Sequence, residues 1–213
     1  MVSLDIFYSF RSPYSYLAID QLCDIARDYE VSVALRPVRP LALREPDFFE
    51  RGRPQFLSYL FQDVPREAER LGIAFGLPQP DPVDMDMASG KVAPAQPLMD
   101  LLFGLAFASI DAGLGLEFAK VIGRAVWGGT PQWNTPENLK EILSSAGLEF
   151  EALSAWAKAH QGEIEPALLE NEAAQMHHHW GVPLMVLGDE PFFGQDRLDS
   201  LVWRLDQQGL RRS

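Results

Sequence analysis

A short β-branched and aromatic run, Leu4-Asp5-Ile6-Phe7-Tyr8, leads through Ser9-Phe10-Arg11 straight into Ser12-Pro13-Tyr14-Ser15-Tyr16-Leu17-Ala18. The first run reads as a strand. Ser12 has the side chain of a helix N-cap, and Pro13 suits the first helical position, where its missing N–H costs nothing. Leu17, Leu22 and Ile25 supply an apolar face behind them. A strand thus delivers Ser12 to a helix start, where backbone N–H groups point outward. Negative charge there is favoured by roughly 0.3–1 kcal/mol when exposed and by up to about 2 kcal/mol when partly buried. A thiolate placed at that point would be stabilised, yet no cysteine occupies it. Ser12-Pro13-Tyr14-Ser15 has the spacing of a Cys-x-x-Cys redox motif with both sulfurs replaced by hydroxyls. Disulfide exchange by these side chains is excluded, while a hydroxyl remains that can donate to a thiolate brought from elsewhere. The plainer reading is that Ser12 only caps a helix.

After this helix, Val31-Ser32-Val33-Ala34-Leu35 alternates as a second strand that stops at Arg36-Pro37. No strand pattern appears over 41–159, where residues 54–71, 97–112, 116–127, 136–146 and 150–160 read as helices. Thr135-Pro136-Glu137 is a cap with proline at the first position, and Gly147 is a stop. The proline-rich, acidic segment 77–97 is the most loop-like part. A further helix is expected near 167–180. Strands follow at Pro183-Leu184-Met185-Val186-Leu187 and Glu190-Pro191-Phe192-Phe193-Gly194 about a Gly188-Asp189 turn, then a last helix over about 196–207. This order predicts an α/β chain with a thioredoxin-like fold and a large all-α domain inserted. Residues 1–40 and 165–213 would form the discontinuous thioredoxin-like domain and 41–164 the insertion.

Thirty acidic against eighteen basic side chains give a net charge of −12, which opposes non-specific binding to nucleic acid or to an anionic membrane surface. An anionic small ligand would need local groups to hold it. The single cysteine, Cys23, falls on the first helix and has no partner for an intramolecular disulfide, so it reads as a small apolar residue. The N-terminus lacks a basic region followed by an apolar core, and the longest apolar run, 101–110, is half a membrane span. A soluble, cytoplasmic protein is expected.

Three separated motifs resemble the thioredoxin-fold branch, of DsbA-like type, that contains 2-hydroxychromene-2-carboxylate isomerases and kappa-class glutathione transferases. The first is Phe10 to Ala18, similar to that family's active-site turn with serine in place of the redox cysteine. The second is Gly181-Val182-Pro183, similar to the loop whose cis-proline faces the active site. The third is Phe192-Phe193-Gly194-Gln195-Asp196-Arg197-Leu198, similar to an aromatic-Gly-x-Asp-Arg signature opening the last helix. Tyr59, Asp63, Arg66 and Ala68, the run Ala125-Val126-Trp127-Gly128, and Asn171 are weaker echoes. The resemblance spans the chain.

The resemblance implies glutathione as cofactor, Ser12 as the catalytic group stabilising its thiolate, and Val182 pairing with its backbone. Pro183, Gln195 and Asp196 would complete the cofactor site, the last two toward the γ-glutamyl group, and Phe10 and Tyr14 would line the substrate pocket. Where the family has an asparagine and a lysine near glutathione, this chain has Arg53 and Phe56, and Arg53 stands as the substitute cation. The implied reaction is isomerisation of a small aromatic or conjugated substrate by reversible thiolate addition, in a homodimer. A kappa-like transferase or peroxidase on apolar electrophiles, and a non-catalytic module binding a peptide at the Val182-Pro183 edge, stay open.

Segment 77–97 departs from the family in being acidic and Met-bearing, a poor match for an anionic aromatic acid. Arg36, Arg39, Arg44, Arg51 and Arg53 are the one basic concentration, either a solvated loop or an attractor for an anionic ligand. No metal is expected at His177-His178-His179, because consecutive helical residues diverge by about 100° whereas ligand pairs favour a spacing of three or four.

Overall fold

The computed structural model describes the chain apart from residues 46, 49–53, 87–89 and 213. Arg51 and Arg53 therefore lie outside the described residues. Strand β1 (Val2–Tyr8), helix α1 (Pro13–Asp28) and strand β2 (Val31–Pro37) form a right-side-by-side parallel unit in which Val2 faces Val31 and Tyr8 faces Pro37. A helical block follows, comprising α2 (Leu41–Arg44), α3 (Pro54–Leu71), α4 (Pro97–Asp111), α5 (Gly115–Trp127), α6 (Pro136–Ser144), α7 (Phe150–Ala159) and α8 (Gln161–Met176). The chain then returns through β3 (Leu184–Leu187), β4 (Glu190–Phe193), a 3-10 turn (Gln195–Arg197) and α9 (Leu198–Gln207).

The sheet order is β2-β1-β3-β4, with β3 antiparallel to both β1 and β4. Phe7 is opposite Leu184, and Leu184 is opposite Phe193. This register brings three loops to one end of the sheet: the one leaving β1, the one entering β3 and the one leaving β4. The three motifs singled out above are those three loops.

Both faces of the sheet are covered. Leu4, Ile6 and Tyr8 join the main core with Leu17, Leu22 and the helical block, while Phe7, Val38, Leu184 and Val186 form a smaller cluster with Ala174 of α8 on the other face. Helix α5 packs on α1 at Gly123, where a Cβ would sit 3.1 Å from the Tyr8 hydroxyl and 3.2 Å from the Tyr16 ring. Asp20 of α1 ties the same pair of helices through Lys120 and Arg124, at 2.9 and 3.0 Å. Burial pushes the Asp20 carboxyl up, but hydrogen bonds from these two cations outweigh it and hold the group below the ordinary range.

Several boundaries differ from expectation. Helix α8 starts at Gln161 rather than near 167, and Pro166 sits inside it at the cost of one backbone bond. The last helix opens with a 3-10 turn, and Asp196 does not cap it: no side-chain cap bond forms at either the turn or α9. Thr135 caps α6 as read, accepting from the Asn138 N–H at 3.3 Å. Cys23 is half-buried against the core, and burial pushes its thiol up to about 11. Among the described residues no helix is long and apolar enough to cross a membrane.

Candidate functional site

Ser12 has the extended backbone of an N-cap, and its Oγ accepts from the Ser15 N–H at 3.2 Å. An oxygen that accepts in this way keeps its own O–H free to donate outward. Because Pro13 has no N–H, the first available backbone donor of α1 is that of Tyr14, which has no partner among the described residues. The loop around Ser12 is anchored from within: Ser12 N–H donates to Ser9 O at 3.0 Å, and the Trp127 indole donates to Phe10 O at 3.0 Å.

Opposite Ser12 across the sheet end, the Val182–Pro183 peptide bond is cis. The register explains the placement, since Pro183 immediately precedes the residue paired with Phe7. The Val182 N–H and C=O have no partner among the described residues, whereas Pro183 O accepts from the Gly194 N–H at 2.9 Å. Gly194 has φ of +104° and a Cβ there would meet Asp196 Oδ1 at 2.5 Å, so only glycine lets the chain turn from β4 into Gln195 and Asp196.

The cis-proline loop is held by groups that sequence reasoning missed. Gln175 of α8, fully buried, donates through Nε2 to Trp180 O at 3.1 Å and Gly181 O at 2.8 Å, while its Oε1 accepts from Arg44 at 2.9 Å. Arg44 also donates to Trp180 O at 3.1 Å. His179 Nδ1 accepts from the Gly181 N–H at 2.9 Å, and its ring lies on Phe193 with centroids 3.7 Å apart. The described arginines of the basic concentration are therefore committed to the fold. Arg36 pairs with Asp5 at 2.8 Å, Arg39 with Glu172 and Glu165 at 2.7 and 3.1 Å, and Arg44 supports the loop. The reading of these three as an attractor for a free anion is corrected accordingly.

Helix α3 closes a further side. The Tyr14 hydroxyl donates to Asp63 Oδ2 at 2.8 Å, Tyr59 donates to Asp63 Oδ1 at 3.0 Å, and Arg66 pairs with the same carboxylate. Burial raises the Asp63 pKa, but the hydrogen bonds from Arg66, Tyr14 and Tyr59 prevail and leave it below the ordinary value. Burial, with the Asp63 hydrogen bond second, pushes the Tyr14 phenol well up, so it stays protonated. Gln195 is buried; its Nε2 donates to Glu67 Oε2 at 3.3 Å while its Oε1 is sealed from solvent without a partner.

The Ser12 turn, Val182, Pro183, Gln195, Asp196 and Tyr14 are thus gathered at one end of the sheet. Phe10 is not part of a pocket wall: it is 1% exposed and packs edge-on against Tyr8 and Phe118 in the core. Its period-two spacing from Ile6 and Tyr8 is the signal that would have placed it there. Asp196 is largely exposed and meets only Arg197, at 3.4 Å. Ser9 Oγ, Ser15 Oγ and Gln195 Oε1, three of the five buried side-chain atoms lacking a partner among the described residues, belong to these loops and the first turn of α1. Such orphans are rare in folded chains. Two cavities lie elsewhere, one of about 540 Å³ between α2, residues 91–96, α4 and α8 and one of about 480 Å³ between α4, α7 and α8, and none of the residues just named lines them. Among the described residues no three His, Cys, Asp or Glu side chains come together as a metal site.

A thioredoxin-like sheet whose Ser12 turn, cis-proline loop and last-helix turn converge defines the class, and residues 3–206 match the DSBA-like thioredoxin domain family, to which the chain belongs. More particularly, it is 27% identical to a 2-hydroxychromene-2-carboxylate isomerase from Pseudomonas putida, over 96% of each chain. A solved 2-hydroxychromene-2-carboxylate isomerase has the same fold, with a TM-score of 0.69, 24% identity and 97% of both chains covered. The cytosolic disulfide reductase DsbM from Pseudomonas aeruginosa, solved with GSH, also shares the fold, with a TM-score of 0.61, 17% identity, and 97% of this chain and 98% of that one covered.

Proposed function

We propose that the chain is a glutathione-dependent isomerase of the 2-hydroxychromene-2-carboxylate isomerase type. The observation that carries this reading is the donor and acceptor set at the sheet end. Ser12 has a free O–H at a helix start, Val182 presents an N–H and C=O unpaired among the described residues, and Asp196 carries an exposed carboxylate. These groups fit glutathione. The Val182 backbone suits its peptide-like portion, and the exposed Asp196 carboxylate suits the ammonium of its γ-glutamyl group. When bound, glutathione supplies a thiolate that adds reversibly to a conjugated carbon. Ser12 donates its O–H to that sulfur, and the helix start with the free Tyr14 N–H adds positive potential; both favour the ionised form near neutral pH. The replacement of both cysteines by Ser12 and Ser15 separates this site from disulfide exchange by its own side chains. Tyr14, its phenol engaged by Asp63, braces the turn. Because Arg53 lies outside the described residues, the proposal rests on the other groups.

The test is calorimetric titration with reduced glutathione, then the thiol pKa in the complex from thiolate absorbance. Saturable binding with a pKa well below the free thiol's is expected. In Ser12→Ala the pKa should return toward the free value by about one unit or more, the cost of one hydrogen bond to a charged group, with binding reduced far less. The open Val182 edge favours a second reading, capture of an extended peptide. It would be supported by peptide binding that Ser12→Ala leaves intact and by no binding of millimolar glutathione.

A further inference from the structure

Arg11 directly precedes Ser12, and the reading above gives it no role. Its side chain is only 15% exposed, and its guanidinium is gripped from one edge by a residue 70 positions away. Nε donates to Asp81 Oδ1 at 2.8 Å and Nη2 to Oδ2 at 2.9 Å, with Met85 Sδ 3.0 Å from Nη2. Asp81 is itself fixed. Its Oδ1 accepts from the Val83 N–H at 2.9 Å, the Trp133 indole donates to the adjoining Pro80 carbonyl at 2.9 Å, and the Gln132 N–H donates to Gln79 O at 2.9 Å. The guanidinium is therefore oriented before any ligand arrives. Its Nη1 group has no partner among the described residues and is not among the atoms sealed from solvent, so two donors of a half-buried cation stand open.

Arg39 shows what such an edge accepts. It holds Glu172 through Nε and Nη2, at 2.9 and 2.7 Å, and takes a second carboxylate, Glu165, on Nη1 at 3.1 Å. Arg11 repeats the first half of that arrangement with Asp81 and leaves the second half open. The structure also changes the outlook for the acidic 77–97 segment, because the charge of Asp81 is matched by Arg11 rather than presented to a ligand.

We infer that Arg11, held by Asp81, receives the carboxylate of the second substrate on its Nη1 edge, so that the site selects planar conjugated carboxylates over their neutral counterparts. The inference rests on the reading of Ser12 as the thiolate-activating group, since it is the adjacent position that brings a molecule attacked there to Arg11. The test titrates cinnamate and cinnamamide, equal in shape and different in charge, into the full chain with and without saturating glutathione. Wild type should bind cinnamate at least about tenfold more tightly, the discrimination expected of one charge-assisted pair. Arg11→Leu should bring the ratio to about one with glutathione affinity unchanged, and Arg11→Lys, which keeps a cation but loses the fork, should fall between. Equal binding of the two probes by wild type, no saturable cinnamate binding, or a preference that persists in Arg11→Leu overturns the inference. Failure of glutathione to bind wild type would instead defeat the preceding reading, and the probe pair in glutathione-free protein would still judge Arg11.

Discussion

Two irregular segments flank Ser12, and they are held by different means. The cis-proline loop is secured mainly by buried groups: the Gln175 amide on two carbonyls, one of them shared with Arg44, the Gly194 N–H on Pro183 O, and the His179 ring on the Gly181 N–H. The loop from Gly76 to Asp86 is secured by a charged, partly exposed pair, Arg11 with Asp81, together with the Trp133 indole on Pro80 O, the Gln132 N–H on Gln79 O and the Gly76 N–H on Trp127 O. The first set extends the sheet, so the loop cannot move without disturbing β3 and β4. The second depends on side chains far apart in sequence, and its charged pair lies outside the sheet. Binding of a shared thiol cofactor suits the first kind of anchoring, and discrimination among second substrates suits the second.

The comparison is broken most directly at Gln175. Gln175→Ala would leave the buried Gly181 carbonyl without its donor, the Trp180 carbonyl with Arg44 alone, and Arg44 Nη1 without its acceptor. We expect a loss of about 2–3 kcal/mol, the usual penalty for uncompensated buried polar groups, seen as a fall in melting temperature of roughly 5–10 °C for a chain of this size. A shift no larger than that of a surface substitution would mean that the loop holds itself. Asp81→Asn should cost less, about 1 kcal/mol, because the pair it breaks is partly solvated. Its effect should also shrink as salt is raised from low ionic strength to 1 M, whereas that of Gln175→Ala should not. Equal salt sensitivity of the two variants would remove the distinction between the segments.

Sequence reading saw one of these segments and not the other. Strand β1 and the Ser12 cap are written in one contiguous motif, because local geometry demands particular residues there: a hydroxyl at the cap and proline at the first helical position. The cis-proline and the turn after Gly194 were legible only through the family resemblance, since a cis X–Pro bond is uncommon and nothing local marks it. Gln175 gave no signal, since a glutamine on a helix reads as surface until its neighbours are known, and α8, expected near 167, begins at Gln161. Arg11 with Asp81, and Tyr14 with Asp63, join residues 70 and 49 positions apart, beyond the reach of any local pattern. Phe10 was misplaced for a different reason: a motif claimed it for the site, while the alternation Leu4, Ile6, Tyr8, Phe10 already assigned it to the core.

The smallest expected effect separates the two segments by pH. His179 accepts the Gly181 N–H on Nδ1, and burial holds its pKa below the ordinary 6.5, so the folded state favours the neutral ring. A base whose folded pKa is lowered contributes fully above its unfolded value; the contribution declines as pH falls from about 6.5 toward the folded pKa, because the unfolded chain takes up the proton first. Once protonated, Nδ1 becomes a donor and the Gly181 N–H loses its acceptor. Hydrogen exchange at Gly181, corrected for its intrinsic pH dependence, should therefore quicken only below the ordinary histidine range, in step with the ring titration of His179 followed by NMR. The segment held by Asp81 contains no histidine, so its amides serve as the reference within the same molecule. Parallel exchange of Gly181 and those amides across this range would show that the ring merely stacks on Phe193, and that Gln175 and Gly194 alone secure the cis-proline loop.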